Sequence, residues 1–336
     1  MPTAFVLGGT GQIGRATARR LAEHGWTVTV ASRTGSLPDG LGELGVRAAR
    51  VDRSVAGELE AAVGEGADLL VDVVAFTRAD GEQLNRLGGR IGSLVAISSA
   101  SVYADDAGRT LDEATSVETF PRLPVPIPEA HPTVEPSDAT YSTQKRALEL
   151  TLLEGPLDAT VVRPCAVHGP GSELPRELYF VKRVLDGRRA VVLVSNGESR
   201  FHTTSVDNLA ELARLAAERP GSRVVNCGDP DPPSVLEIGR AAAAALDHAF
   251  EEVLVPQSGY ERRELSNPWA VPFPLVVDMS RAEQELGYRP VTTYAEAVVE
   301  TCAWLVAEAP RRDWSGTYIE KYLRYAFEDA FLSEEV

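Results

Sequence analysis

The stretch "LGGTGQIG", residues 7–14, carries four glycines (Gly8, Gly9, Gly11 and Gly14) directly after the apolar run "TAFVL" and directly before a segment of helical periodicity. A turn of this kind between a strand and a helix lets the backbone approach a pyrophosphate, with free N–H groups and the helix dipole supplying the attraction. Two spacings overlap in it. Counted from Gly9 the glycines spell GxGxxG, and counted from Gly8 they spell GxxGxxG through Gly11 and Gly14. The loop by itself does not choose between them.

The flanking sequence supplies the context. After the loop, "GRATARRLAEHG" places Ala16, Ala18, Leu21 and Ala22 on one helical face and stops at Gly25, and "WTVTVAS" reads as a second strand. "RAARV", "ADLLVDVVAF", "GSLVAISSA" and "DATVVRP" read as the third to sixth strands, with helical segments between most of them. That alternation predicts an α/β fold, a Rossmann-like doubly wound parallel sheet with a smaller mixed α/β C-terminal substrate lobe. The boundaries read as a dinucleotide-binding domain over 1–169, joined again by segments near 200–229, a substrate-binding lobe over 170–310 and a helical extension over 311–336. In the lobe "LPRELYFVKRVLDG" and "VDNLAELARLAAE" read as helices, "AVVLVSNG" as a hairpin arm and "SRVVNCGD" as a strand that returns to the sheet. Residues 105–136, with six prolines (Pro121, Pro124, Pro126, Pro128, Pro132 and Pro136), form a connection long enough to read as a lid.

Composition excludes several classes. A net charge of −16 repels phosphate backbones and anionic lipids, and the sequence has no compensating basic patch. Cys165, Cys227 and Cys302 are far apart and read as buried structural thiols rather than a disulfide framework, and the five histidines (24, 131, 168, 202 and 248) form no metal-ligand spacing. No apolar run approaches a membrane span, and no secretory signal is evident, so a cytoplasmic location is expected.

The chemistry-bearing residues lie downstream of the loop. "YSTQK" puts Tyr141 and Lys145 four apart in a helical segment, hence on one face. An ammonium beside a phenol favours the phenolate and lowers its pKa, which suits Tyr141 to acid/base work near neutrality. "ISSASVYAD" ends the fifth strand with Ser98, Ser99 and Ser101 at the carboxyl edge of the sheet, where a hydroxyl can donate to a carbonyl oxygen as charge develops on it.

Taken together, these motifs resemble the extended short-chain dehydrogenase/reductase family, of the NAD(P)-dependent epimerase/dehydratase type. The resemblance rests on GxxGxxG at Gly8, Gly11 and Gly14, "VDRS" with Asp52, "SSASVY", "YSTQK", "RPCAVHGPG" at 163–171 and "SVDNLA" at 205–210. It selects the reading from Gly8 and leaves Gly9 without a role of its own. It implies that Gly8, Thr10, Gly11, Gln12, Ile13 and Gly14 hold the cofactor pyrophosphate, and that Asp52 contacts the adenine. It also implies Ser99 as the hydroxyl that polarises the substrate, Tyr141 as the acid/base, and Lys145 as the residue that holds the nicotinamide ribose and tunes Tyr141.

Departures from the family pattern refine the expectation. Where NAD-using relatives carry an acidic residue at the end of the second strand, this chain has Ser32 and then Arg33, a pair suited to a 2′-phosphate, so NADP(H) is expected, with NAD as the alternative. "FTRADGEQLNRLGGRIG" is shorter than the matching segment of nucleotide-sugar enzymes and lacks its NxxGT-like sequence. Ala100-Ser101 replaces the Asp-Glu pair of the dehydratases. Ser101, His168 (in place of a tyrosine) and Arg200 (one residue out of register with a diphosphate-binding arginine) are the candidate substrate contacts. The leading functional reading is an NADP(H)-dependent oxidoreductase acting on a ketone or secondary alcohol of a small molecule. The alternatives are a nucleotide-sugar epimerase with tightly bound NAD, and a non-catalytic NADP-binding regulator or RNA-binding relative. The expected partner is a small-molecule substrate, with no nucleic acid, no membrane and a homodimer left open.

Overall fold

The computed structural model describes residues 1–334. Through its first half the chain alternates strand and helix: β1 Thr3–Leu7, α1 Gln12–Glu23, β2 Thr27–Ser32, β3 Arg47–Arg50, α2 Glu58–Val63, β4 Ala67–Asp72, α3 Arg78–Asn85, β5 Ile91–Ile97, α4 Tyr141–Leu153 and β6 Ala159–Pro164. The second half runs β7 Ala166–His168, α5 Leu178–Leu185, β8 Ala190–Val194, β9 Thr203–Ser205, α6 Val206–Glu218, β10 Arg223–Cys227, α7 Val235–Ala244, β11 Glu251–Val255, α8 Ser280–Leu286, α9 Tyr294–Glu308 and α10 Ala326–Glu334.

Seven strands form one parallel sheet in the order β10-β6-β5-β4-β1-β2-β3. The central strands are short, mostly apolar and largely buried on both faces, as a parallel sheet covered by helices requires, whereas the edge strand β3 ("RAAR") is largely exposed. One face packs on α1 and α6 through Leu21, Val30, Val71, Leu209 and Leu212. The other packs on α3 and α4 through Leu70, Leu84, Leu94, Leu148 and Leu152. The strand order reverses between β1 and β4, so a crevice opens at their carboxyl ends, the place where ligands bind in such sheets. "SRVVNCGD" does return to the sheet, as β10 beside β6.

Three expectations are corrected. "AVVLVSNG" is not a hairpin arm: β8 pairs in parallel with β11, because the left-handed run Ser195, Asn196 and Gly197 leads the chain away instead of folding it back. Gly9 is not idle either, since a Cβ there would fall 2.7 Å from Val30 Cγ1 on β2. Residues 105–136 form a clamped strap, not a free lid. Ile127 is fully buried, its N–H donates to the Val276 carbonyl at 2.7 Å and its own carbonyl accepts from Asp278 N–H at 2.9 Å. At the start of the strap the Asp105 carboxylate accepts from the Arg109 guanidinium and from the N–H groups of Ala107, Arg109 and Arg122. Burial opposes its charge, but those donors hold the carboxyl at about 2.

A further core gathers α5, α7 and α9 with Trp269, Trp314 and Ile319. Of the segment 311–336, helix forms over Ala326–Glu334 and a 3-10 turn over Glu320–Tyr322. Trp314 and Ile319 anchor this segment, as does Glu328, whose carboxylate meets the Arg183 guanidinium at 2.9 Å.

Candidate active site

The glycine loop folds tightly onto the first turn of α1. Gly8 has φ +81°, where a side chain would be strained, and a Cβ on Gly14 would strike the Gly8 carbonyl and lie 2.7 Å from Gly9 Cα. Gly11 is the N-cap of α1 and no side chain caps the helix, nor is any first-turn residue acidic. The amide end of the helix therefore faces the crevice unneutralised, which fits an anionic phosphate group. The side chain of Gln12 donates to the Gly169 carbonyl at 3.0 Å, tying the loop to the "HGPG" turn.

A cavity of about 530 Å³ opens from this loop. Gly8, Gly11, Gln12 and Ile13 form one wall, and Ser99, Ser101 and Tyr141 another. Ser99 stands at the end of β5 and its Oγ accepts from Ser101 N–H at 3.1 Å. Ser101 Oγ is buried with no partner, a hydroxyl free to bond whatever fills the cavity. Thr10 and Gly14 do not line the cavity. Tyr141 opens α4, where a capping box on Thr140 and Thr143 starts the helix.

Lys145 lies one turn further on, and its hydrogen bonds go to backbone carbonyls, not to the Tyr141 phenol. Its ammonium donates to the carbonyls of Ala75 at 2.7 Å and Ile97 at 3.0 Å, and Phe76 packs against both Lys145 and Tyr141. The ammonium goes to the carbonyls because a buried charge needs hydrogen-bond partners. Two of its three N–H groups are thereby committed and one remains. Burial brings Lys145 down to about 8. Tyr141 is not lowered: desolvation by the cavity walls raises it, the neighbouring Ser99 hydroxyl pulls the other way, and the Asp112 carboxylate adds to the rise.

A buried network holds this arrangement from below. Glu149 on α4 accepts from Arg163 Nε at 2.8 Å, from Arg163 Nη2 at 2.6 Å and from Ser98 Oγ at 2.7 Å, which pins the end of β5 next to Ser99. On the other side Arg53 pairs with Asp72 at 2.8 Å, and Asp72 accepts from the N–H groups of Val74 and Ala75, fixing the turn whose carbonyl holds Lys145. Arg163 and Arg53 lie in the motifs "RPCAVHGPG" and "VDRS", but their partners Glu149 and Asp72 lie in neither, so only the fold reveals the pairs.

The remaining sequence-derived candidates separate. Ser32 and Arg33 lie at the open end of β2, outside the cavity. Ser32 Oγ accepts from Gly35 N–H at 3.1 Å, and Arg33 is exposed. The Asp52 carboxylate bonds Ser54 and is lowered chiefly by that residue, with Arg33 contributing at longer range. His168 does not face the cavity: it is buried, with Nε2 2.8 Å from Asp229 and its ring against Tyr294. Burial opposes charge on both partners, yet their attraction raises His168 and holds Asp229 at about 2. Arg200 also turns away, donating to the Pro232 carbonyl and lying 3.4 Å from Glu237. Both were placed by motif register, which says where the backbone runs but not which way a side chain points. Arg176, which no motif singles out, lines the cavity instead.

A second cavity of about 620 Å³ adjoins the first, and Leu111 and Phe201 line both. Among the described residues no group of His, Cys, Asp and Glu could hold a metal ion, and no helix is long and apolar enough to cross a membrane.

Comparison with known proteins agrees with this architecture. The model of the NAD dependent epimerase/dehydratase family matches residues 4–228. A solved UDP-galactose 4-epimerase superposes with a TM-score of 0.65 at 19% identity, covering 91% of this chain and 99% of that one. The Bordetella bronchiseptica enzyme WbmH, solved in complex with NAD+, gives 0.67 at 18% identity, with 91% and 98% covered. The UDP-N-acetylglucosamine 4-epimerase from Bacillus cereus gives 0.67 at 17% identity, with 90% and 99% covered. A search of curated proteins finds no match.

Proposed function

The chain belongs to the NAD dependent epimerase/dehydratase family, and from that premise we propose that it is an NADP(H)-dependent oxidoreductase acting on a ketone or secondary alcohol of a small molecule. One observation carries the reading: Ser99 and Tyr141 share a cavity with the uncapped amide end of α1. The cofactor, when bound, supplies or accepts the hydride. Backbone N–H groups of the 8–13 loop hold its phosphates, and Lys145 orients the ribose with its free N–H. Ser99 donates to the substrate oxygen as charge develops there, and Tyr141 gives or takes the proton at that oxygen. Desolvation, which raises Tyr141, favours its phenol over its phenolate, and the phenol is the form that donates in the reductive direction. Ser32 and Arg33, in place of a carboxylate, favour a 2′-phosphate and hence NADP(H).

The test is steady-state reduction of a carbonyl panel with NADPH and with NADH. Tyr141→Phe is expected to lower kcat by at least about a hundredfold with cofactor affinity kept. Near-normal turnover in that variant, or equal use of NADH, would overturn the mechanism or the cofactor choice respectively.

A second reading, a nucleotide-sugar epimerase with tightly held NAD, draws support from the solved neighbours described as 4-epimerases. Purified protein that carries NAD and interconverts a UDP-sugar with no net cofactor consumption would establish it in place of the first.

A further inference from the structure

The charged groups of the second cavity are of one sign. Arg263 and Lys321 stand at its rim and Arg176 at the junction with the first cavity. None of the three meets a carboxylate among the described residues, whereas neighbouring Arg262 and Arg324 pair with Glu264 and Glu320. Arg263 donates to the Thr115 carbonyl at 2.6 Å, Lys321 lies 4.7 Å from the ring centroids of both Tyr318 and Tyr322, and the buried Arg176 Nε has no partner. Deeper in, Asn267 is 2% exposed. Its Oδ1 accepts from Trp269 N–H at 3.0 Å, which fixes the amide so that Nδ2 is the free group, and that Nδ2 is buried with no partner. Among the described residues lining this cavity none is acidic, in a chain of net charge −16. Three cations that meet no carboxylate, with two buried N–H groups, Arg176 Nε and Asn267 Nδ2, left without a partner, call for an acceptor-rich, negatively charged occupant.

The rest of the wall is aromatic. Tyr318 and Tyr322 come from the segment beyond residue 310, Phe120 from the strap, and Tyr260 packs edge-on against Phe120 with centroids 6.0 Å apart. Flat rings around a donor-lined cavity suit a planar group that stacks while its acidic end meets Arg263, Lys321 and Asn267. Among the described residues lining the second cavity itself the cations are Arg263 and Lys321, both at its rim, and Arg200, the candidate for a diphosphate contact, is turned to Pro232 and Glu237.

We propose that the second cavity binds the non-reacting end of the substrate, and that this end is an aromatic ring bearing a single acidic group, recognised by Arg263, Lys321 and Asn267 against a wall built by residues 318–322. The proposal rests on the oxidoreductase reading only for the statement that the other end of the same molecule reaches Ser99 and Tyr141. The aromatic acid then enters along the rim cations, and the shared boundary at Leu111 and Phe201 passes its carbonyl end into the first cavity.

The experiment is calorimetric titration of the full chain with 2-naphthoate, with its neutral counterpart 2-naphthalenemethanol and with UDP-glucose, repeated on Lys321→Met and on Arg263→Met/Lys321→Met. Both residues are exposed, and a thermal melt checks that each variant is folded. The expected result is naphthoate binding at least tenfold tighter than the alcohol, a preference that falls with added salt and is lost stepwise in the two variants. Equal binding of acid and alcohol overturns the proposal, as does a preference unchanged in the double variant. Tighter binding of UDP-glucose, weakened in the same variants, also overturns it and assigns the cavity to a nucleotide. NADPH binding, followed by its fluorescence on the same samples, reports separately on the cofactor reading, so that either can fail while the other stands.

Discussion

Replacing Lys145 by Met tests how the candidate site stores strain. The side chain is 6% exposed and burial brings its ammonium to about 8, against about 10.5 in an unfolded chain. That gap corresponds to roughly 3 kcal/mol by which folding disfavours the charged form. Below about pH 8 the lysine is protonated in both states and the folded protein bears the whole penalty. As pH rises the folded state releases its proton first, so wild-type stability gains from this group until the unfolded state also deprotonates near 10.5. Integrated between pH 7 and 9.5, the gain is about 2 kcal/mol. Lys145→Met has no proton to release, and the other groups common to both proteins cancel. Urea unfolding of wild type and Lys145→Met at half-unit pH steps from 7 to 9.5 should therefore show the wild type gaining about 2 kcal/mol on the variant. The loss of the two hydrogen bonds to Ala75 and Ile97 shifts the whole difference by a constant and leaves its slope untouched. A flat difference across the range would refute the claim that this ammonium is held charged against its solvation.

Other perturbations give distinct readouts. Glu149→Gln leaves Arg163 buried without a counter-charge and should cost about 3–5 kcal/mol in urea unfolding. Since burial opposes the Glu149 charge but Arg163 outweighs it and lowers the carboxyl, the wild-type advantage is present at neutral pH and should shrink as pH falls below about 4. Gly9→Ala should lose about 1–3 kcal/mol through the clash with Val30. Gly11→Ala meets only ordinary contact, 3.5 Å to the Gly8 carbonyl, so thermal melts should leave it near wild type while NADPH affinity falls. Arg33→Met should raise the dissociation constant for NADPH about tenfold, the equivalent of one charge-assisted phosphate contact, and leave that for NADH unchanged in fluorescence titration.

The fold was legible because its signals are local. Alternating apolar strands and amphipathic helices, a glycine turn after the first strand, and "YSTQK" at the start of a helix are each decided by residues within one or two turns of one another. The family assignment followed from the order of those motifs. Side-chain direction was less legible. His168 and Arg200 occupy the positions their motifs suggested, yet His168 is drawn inward to Asp229 and Arg200 outward to Pro232, because their partners lie elsewhere in the chain. The Lys145 ammonium follows the same rule, preferring two carbonyls on β5 and the β4 turn to the phenol four residues away.

The sequence by itself thus determined the parallel sheet, the glycine loop after its first strand and the identity of Ser99, Tyr141 and Lys145 as candidates, since these rest on spacing along the chain. Only the tertiary structure decided that the proline-rich connection is a clamped strap, that Arg53 and Asp72 support the lysine's turn, and that residues beyond 310 wall a second cavity. Such features depend on groups brought together from more than a hundred residues apart, or on which face a buried charge must turn to find its partner. Packing and desolvation of the whole chain settle both, and no local pattern encodes them.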